Sequence, residues 1–156
     1  MPRFTLTFES EVLASPEEAW AWVTSVAGIL RELRPLARMT FPGGVDSILD
    51  VDAKLGTPLC RSWMLLGGVL PIDRSDLTLI ELDEGRGFVE RSPMLTMRLW
   101  EHARAIDPVA GGSRISDRLT FEPRVGGGLV RWFVTTLFRH RHRVLRRELG
   151  ALERHV

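Results

Sequence analysis

The C-terminal part of the chain constrains the fold most, because it predicts one long helix with a single apolar side. The glycine run at 126–128 interrupts the preceding pattern, and a helical pattern then predicts a helix from about Leu129 to Arg154. At about 100° per residue, the apolar residues fall on one side of this helix: Val130, Val134, Leu137, Phe138, Val144, Leu145 and Leu152. The opposite side is predicted to be solvated and carries Arg139, Arg143 and Arg146, with His142 and Arg147 at its flanks.

Arg141 is the exception to this division, because it lies near the middle of the apolar stripe. Glu148 lies two turns later on the same line. A charge on a buried stripe is costly unless it is paired. Two interpretations are open: Arg141 forms a charge pair, with Glu148 or through other polar groups, or the stripe faces a cavity in which Arg141 holds a polar ligand group.

Two short helices are predicted near the N-terminus. Ser15 can cap a helix that runs from Pro16 to about Val23. A second helix is predicted at 26–33, and Pro35 ends it because the residue before a proline avoids the helical region.

Alternating patterns and turn signals predict strands in the remaining chain. The loop 42–58 has room for one helical turn, and Gly67-Gly68 is predicted to be a bulge or bend. The predicted strands are 3–13, 37–41, 59–70, 75–82, 88–92, 96–106 and 114–123. Because strands and helices are segregated, we expect an α+β fold with an antiparallel curved β-sheet wrapped around the long C-terminal helix, in a single domain over 1–156.

The last two predicted strands place charged residues on the inward face of the sheet. In 114–122, Asp117 shares its parity with the apolar set Ile115, Leu119 and Phe121. In the preceding strand, Trp100, His102, Arg104 and Ile106 share one parity. If the hairpin closes with Asp107 opposite Arg114, then Arg104 faces Asp117 and His102 faces Leu119. The group is predicted to be either a structural Arg–Asp pair or part of a functional site.

The charge distribution limits the partners of the chain. The net charge is only +1, so the whole molecule is not a polyanion binder. Over 129–156 the charge is +5, from seven arginines and two glutamates. A peripheral contact with an anionic membrane through Arg139, Arg143 and Arg146 is open. No nucleic-acid motif accompanies the basic face, so we expect no nucleic-acid partner.

Histidine spacing and cysteine count argue against a metal site. His140 and His142 are two residues apart and point to nearly opposite sides of a helix, so they cannot bind one ion and are expected to be solvated or half-packed. The one cysteine, Cys60, rules out an internal disulfide framework and a multi-cysteine zinc site. With no apolar signal core at the N-terminus, a reducing, cytoplasmic setting is expected.

The C-terminal half resembles the START/SRPBCC superfamily. "LWEHARAI", "GGSRISDRLTFEP" and "LFRHRHRVL" are similar to its W-x-H-x-(H/R), G-x-x-(I/V)-x-D-x-(L/V)-x-(F/Y)-x-x-P and F-x-x-R-x-x-x-L patterns, and "SPEEAWAWV" resembles its first helix. The matching residues are Trp100, His102, Arg104, Asp117, Leu119, Phe121, Pro123, Phe138, Arg141 and Leu145. The resemblance implies a helix-grip fold with a deep cavity between sheet and helix. It implies no universal catalytic residue and no cofactor.

Two functions follow from these residues and this resemblance. The first is binding of a small hydrophobic or amphipathic molecule, such as a lipid or polyketide. Its apolar wall would comprise Trp63, Met64, Trp100, Phe121, Leu137 and Phe138, and its polar end would be held by His102, Arg104, Asp117 and Arg141. The second is a polyketide cyclase, aromatase or dehydratase, with His102 as general base, Asp117 orienting it and Arg104 or Arg141 stabilising an enolate. The oligomeric state is left open.

Overall fold

The computed structural model describes residues 2–153 and has the predicted α+β architecture. The first half contains β1 (Phe4–Val12), α1 (Pro16–Thr24), α2 (Val26–Leu33), β2 (Ala37–Met39) and a 3-10 turn (Ile48–Asp50). The second half contains β3 (Pro58–Leu66), β4 (Leu70–Asp83), β5 (Gly87–Arg91), β6 (Met97–Val109), β7 (Gly112–Pro123) and α3 (Gly127–Leu149).

The strands form one curled sheet in which every paired neighbour is antiparallel. Their order across the sheet is β1-β7-β6-β5-β4-β3-β2. The long helix α3 packs against β1 and β7 on one side and against α2 on the other. The predicted helix-grip arrangement is therefore confirmed, with the sheet wrapped around the C-terminal helix.

Two serines fix the start of the short helices. The Ser15 hydroxyl accepts a hydrogen bond from the Glu18 backbone N–H at 3.2 Å, and Pro16 occupies the first helical position, as the sequence predicted. Ser25 ends α1 and caps α2, since its hydroxyl accepts from the Gly28 N–H at 2.9 Å. One residue thus ends the first helix and begins the second.

Gly67 and Gly68 form the turn of a β-hairpin, so the prediction of a bulge or bend within one strand is wrong. Their φ angles of 63° and 85° lie in the left-handed region, which glycine adopts without steric cost. Leu70 therefore begins β4 and pairs with Leu66 across the turn.

The C-terminal end of α3 also differs from the prediction. The helix ends at Leu149 rather than near Arg154, and Arg154 itself lies outside the described residues. Gly150, with φ of 80°, turns the chain, and its carbonyl accepts from the Leu13 N–H at 2.8 Å. The Leu152 N–H then donates to the Glu11 carbonyl at 3.1 Å. The segment after α3 is thus fastened to the end of β1, and Leu152 does not belong to the helical stripe.

Apolar side chains form separate clusters between the sheet and the helices. One lies under α1 and joins Val23, Ile106 and Leu145. A second packs Val134 and Phe138 of α3 on β6 and β7, and a third joins Leu137 to Leu33 and Ala37. The concave face carries polar side chains between these clusters. Within residues 2–153, no helix has the length and apolar character needed to cross a membrane.

Candidate functional site

The β6–β7 hairpin brings Arg104 and Asp117 together as predicted. The strands pair Asp107 with Arg114, Arg104 with Asp117 and His102 with Leu119. Arg104 donates from Nε to Asp117 Oδ1 at 2.7 Å and from Nη2 to Oδ2 at 2.8 Å. The Asp117 side chain has no exposed surface, so the inward parity of β7 is confirmed.

Glu32 is a second carboxylate on Arg104, and it was not identified from the sequence. α2 carries it over the concave face, where its side chain is 0% exposed. It accepts hydrogen bonds from Arg104 Nη1 at 3.0 Å and Nη2 at 2.9 Å, and from Trp22 Nε1 at 3.1 Å. The Arg104 guanidinium therefore lies between two buried carboxylates, a bidentate geometry that arginine favours.

Arg141 also binds Glu32, so Glu148 is not its partner. Its Nε donates to Glu32 Oε1 at 3.1 Å, and its guanidinium carbon lies 4.8 Å from the ring centre of Phe138. Glu148 instead pairs with Arg31 at 3.0 Å near the surface. The charge on the apolar stripe is compensated by α2, which supports the paired interpretation of Arg141.

His142 joins the same network, although the sequence placed it at a solvated flank. It is buried, and its Nε2 donates to Asp117 Oδ2 at 2.7 Å. Its Nδ1 lies 2.7 Å from Ser10 Oγ on β1. The prediction was wrong because β1 and α2 cover α3 from both sides and bury more than its apolar stripe. His140 bonds the Arg34 carbonyl, away from His142, so the two histidines do not converge.

His102 holds the opposite edge of the network. Its Nε2 donates to Asp117 Oδ1 at 2.6 Å, and its Nδ1 lies 3.7 Å from Glu90 Oε1. Burial alone would lower the pKa of His102, but the carboxylates of Asp117 and Glu90 outweigh it, and the pKa is raised. The imidazole therefore tends to retain its proton between these two groups.

The pKa values of Asp117 and Glu32 are shifted towards the charged forms of these carboxyl groups. Burial opposes ionisation of Asp117, but Arg104 and His102 hold its pKa well below the usual range. Burial likewise opposes ionisation of Glu32, whose pKa is nevertheless lowered by Arg104 and Arg141. With His102 protonated, three cationic groups balance the carboxylates of Glu32, Glu90 and Asp117. Asp117 accepts four hydrogen bonds, which leaves this part of the network closed to further partners.

Ser62 and Ser75 form a different kind of polar site. They are directly opposite each other on β3 and β4 and share the inward face with Met64 and Leu77. They are 1% and 6% exposed, and within residues 2–153 neither hydroxyl has a hydrogen-bond partner. Buried polar groups are nearly always bonded, so this pair is an unusual feature of the interior. One sequence signal could have indicated this pair: in both strands the serine has the same parity as the inward-facing residues.

Apart from Trp63, the residues of the predicted apolar wall are divided between two clusters. Trp100 lies against Phe121 and Phe138, with ring centres 5.9 and 6.4 Å apart. Met64 and Leu137 pack in one cluster near α2. Trp63 is 41% exposed and lies on the outer face, where Arg74 covers its ring. The prediction that Trp63 belongs to the inner wall is therefore wrong. Strand alternation explains this, because its neighbours Ser62 and Met64 point inward.

Two open cavities lie outside this interior. One of about 360 Å³ is bounded by the segment 48–55 together with leucines of β3 and β4. The other, of about 310 Å³, lies between β1 and α3 and is lined by arginines. In the described part of the chain no group of three or more histidine, cysteine, aspartate or glutamate side chains is arranged to hold a metal ion.

A curled antiparallel sheet closed around a C-terminal helix, with polar side chains on its concave face, defines the helix-grip class of folds. Within that class the chain belongs to the family described as Domain of unknown function (DUF8410), which matches residues 10–149. No curated protein matches the chain.

Solved structures of the same fold are similar along nearly the whole chain. A START superfamily protein from Mycobacterium smegmatis is 13% identical, with a TM-score of 0.63 over 93% of this chain and 96% of that one. Protein CV1439 from Chromobacterium violaceum is 12% identical, with a TM-score of 0.65 over 89% and 95%. DynU16, from the dynemicin biosynthetic locus, is 13% identical, with a TM-score of 0.55 over 97% of this chain and 49% of its own. At these identities the likeness establishes the fold.

Proposed function

We propose that the protein binds a small amphipathic molecule between the sheet and α3, with a polar group of the ligand on Ser62 and Ser75. The observation that carries this proposal is the pair of buried hydroxyls that have no hydrogen-bond partner among residues 2–153. An unsatisfied buried hydroxyl costs about 1–3 kcal/mol. Two such groups on directly opposite strand positions lie close enough to bond one ligand atom.

The engagement of the two buried arginines favours a ligand with an uncharged polar group. Arg104 and Arg141 are both engaged by Glu32, and Arg104 is also engaged by Asp117. A ligand carboxylate would have to displace one of these buried carboxylates, at a large desolvation cost. A hydroxyl or carbonyl group can instead bond Ser62 and Ser75 while the charged network stays intact.

Apolar residues on the same side of the sheet would contact the body of the ligand. Met64 lies two positions from Ser62, and Leu137 packs in the same cluster as Met64. Trp100 adds a half-buried aromatic surface beside Phe121 and Phe138. Apolar walls with a few placed polar groups are typical of small-molecule sites. His102, Arg104, Asp117 and Arg141 would then support the site rather than hold the ligand.

The alternative role of His102 as general base receives less support from this geometry. Asp117 does orient the imidazole, but Glu90 lies near its second nitrogen and the pKa is raised. A general base must be unprotonated near the working pH. We therefore propose binding rather than cyclase chemistry, in the cytoplasmic setting that the sequence predicts.

Mass spectrometry of molecules extracted from the purified protein tests the proposal directly. Titrations with long-chain alcohols and with the matching fatty acids, monitored by tryptophan fluorescence, then test whether the ligand's polar group is uncharged. We expect alcohols to bind more tightly than acids, and Ser62→Ala with Ser75→Ala to weaken alcohol binding about tenfold.

Ser113→Ala is the matched control. The Ser113 hydroxyl is also fully buried, but it donates to the Ala14 carbonyl at 2.6 Å, away from the two serines. The Ser113→Ala variant should therefore have the same affinity for alcohols as the unmutated protein. If nothing co-purifies and neither ligand series binds the unmutated protein, the proposal is wrong.

A further inference from the structure

A cleft lined by arginines lies on the β1 side of α3, outside the interior described above. Its volume is about 310 Å³. β1 provides one wall and α3 the other. The lining residues are Phe8, Glu9, Arg139, His142, Arg143 and Arg146.

The charges around this cleft are not balanced. Three guanidinium groups face it, against the single carboxylate of Glu9. The side chains of Arg139 and Arg143 lie one helical turn apart, and neither forms a hydrogen bond or ion pair with any residue within 2–153. Like charges at this spacing destabilise a helix. The helix dipole favours cations only in the last turn, which includes Arg146 but not Arg139.

The rear of the cleft is built from fixed groups. Arg146 donates from Nη1 to Ser10 Oγ at 2.9 Å, which holds its side chain against β1. His142 lies 2.7 Å from the same hydroxyl and donates from Nε2 to buried Asp117. Phe8 stacks on the His142 ring, with centres 5.9 Å apart. A cationic cleft with an ordered rear wall loses little entropy when an anion enters.

We propose that this cleft binds a phosphate group. The arginines exceed Glu9 by two charges, which matches the near-dianionic charge of a phosphate monoester. Guanidinium groups bind phosphate oxygens in pairs of parallel hydrogen bonds. The side-chain donors of Arg139 and Arg143 are not engaged by any of the described residues, 2–153. A soluble phosphomonoester and a phospholipid headgroup both carry this group. The site lies on the outer side of α3, so it is independent of the binding proposed at Ser62 and Ser75.

Calorimetric titration with inorganic phosphate and with glycerol 3-phosphate tests whether the cleft binds a soluble phosphate compound. The double variant Arg139→Gln/Arg143→Gln should bind at least about tenfold more weakly than the unmutated protein, because each lost contact is a charged hydrogen bond. Arg98→Gln/Arg118→Gln is the matched control, since it removes the same charge from exposed positions on β6 and β7. It should bind as the unmutated protein does.

Co-sedimentation with phosphatidylcholine vesicles, with and without phosphatidic acid, tests whether the cleft binds a phospholipid headgroup. Binding that requires phosphatidic acid and is lost only in the cleft variant assigns the headgroup as the occupant. Binding of soluble phosphate that is lost only in the cleft variant assigns a soluble phosphomonoester. Either result supports the phosphate site.

The ring nitrogen signals of the histidines locate the bound anion. We expect the His142 signals to shift during the titration while those of His140, on the Arg34 side of α3, stay in place. His140→Gln identifies the control signal without touching the cleft. The proposal is overturned if neither probe binds, if the control double variant loses as much affinity as the cleft variant, or if His142 does not respond.

Discussion

The Arg104 guanidinium on β6 and the Glu32 carboxylate on α2 meet in two hydrogen bonds of 3.0 and 2.9 Å, out of contact with solvent. The same guanidinium bonds Asp117 on β7. The contact therefore fastens the short helices to the centre of the sheet. Removing one partner of such a group leaves a buried charge uncompensated, which costs more than the pair contributes.

Glu32→Gln should lower the free energy of unfolding by about 3–5 kcal/mol, because Arg104 and Arg141 lose a shared carboxylate in the interior. Glu148→Gln breaks the partly exposed pair with Arg31 and should cost less than about 1 kcal/mol. Denaturant unfolding of both variants measures the difference. Equal losses would contradict a central role for Glu32.

His102 should make the free energy of unfolding decrease as the pH rises. Its pKa is raised in the folded state above the ordinary value of about 6.5, so between the two values the folded protein binds more protons than the unfolded chain. The stabilisation is fully present below about pH 6.5 and is lost as the pH passes through the folded pKa. Unfolding followed from about pH 6 to 9 should show a shallower decline for His102→Gln than for the unmutated protein. His140→Gln is the control, and identical slopes for all three proteins would refute the prediction.

Arg141→Met should reduce stability without changing ligand preference. The variant removes a hydrogen bond to the buried Glu32 carboxylate, worth about 1.5–3 kcal/mol. Because Arg141 is engaged by Glu32, the ratio of affinities for alcohols and matching fatty acids should stay as in the unmutated protein. A selective loss of fatty-acid binding would show instead that Arg141 contacts the ligand.

Ser75→Ala should stabilise the ligand-free protein by about 1 kcal/mol, since it removes a buried hydroxyl with no hydrogen-bond partner in the described part of the chain. Ser62→Ala should act in the same direction. Ser113→Ala should instead be destabilising by a similar amount, because it breaks a bond to the Ala14 carbonyl. Thermal unfolding of protein freed of co-purified molecules provides the comparison. Destabilisation by the first two changes would mean that these hydroxyls have partners in the free protein.

The sequence predicted the features that depend on local alternation. Asp117 is flanked by apolar residues of its own parity, so its inward direction could be inferred. Once the hairpin was closed, the register set Arg104 opposite it. The direction of Trp63 could not be inferred in this way, because apolar residues follow it on both faces of β3 and the alternation is lost.

Glu32 and His142 were missed for a shared physical reason. Each lies at the edge of an apolar stripe on its helix, where the local pattern does not distinguish buried from solvated positions. Burial there depends on which elements lie beside the helix: α2 rests over the sheet, and α3 lies between β1 and α2. These placements come from tertiary packing. Glu32 and His142 complete the buried network, of which the sequence predicted only the contact between Arg104 and Asp117 on the strands.

The pairing of β1 with β7 has a consequence for synthesis of the chain. Phe4 pairs with Phe121, and Val12 pairs with Ser113, so at least a hundred residues separate each pair. β1 leaves the ribosome with no partner strand until β7 has emerged, and the segment after α3 that fastens to β1 emerges later still. Such distant pairings slow folding and expose strand edges to other chains. The first strand of the nascent protein therefore has an unpaired edge until almost all of the described chain is available.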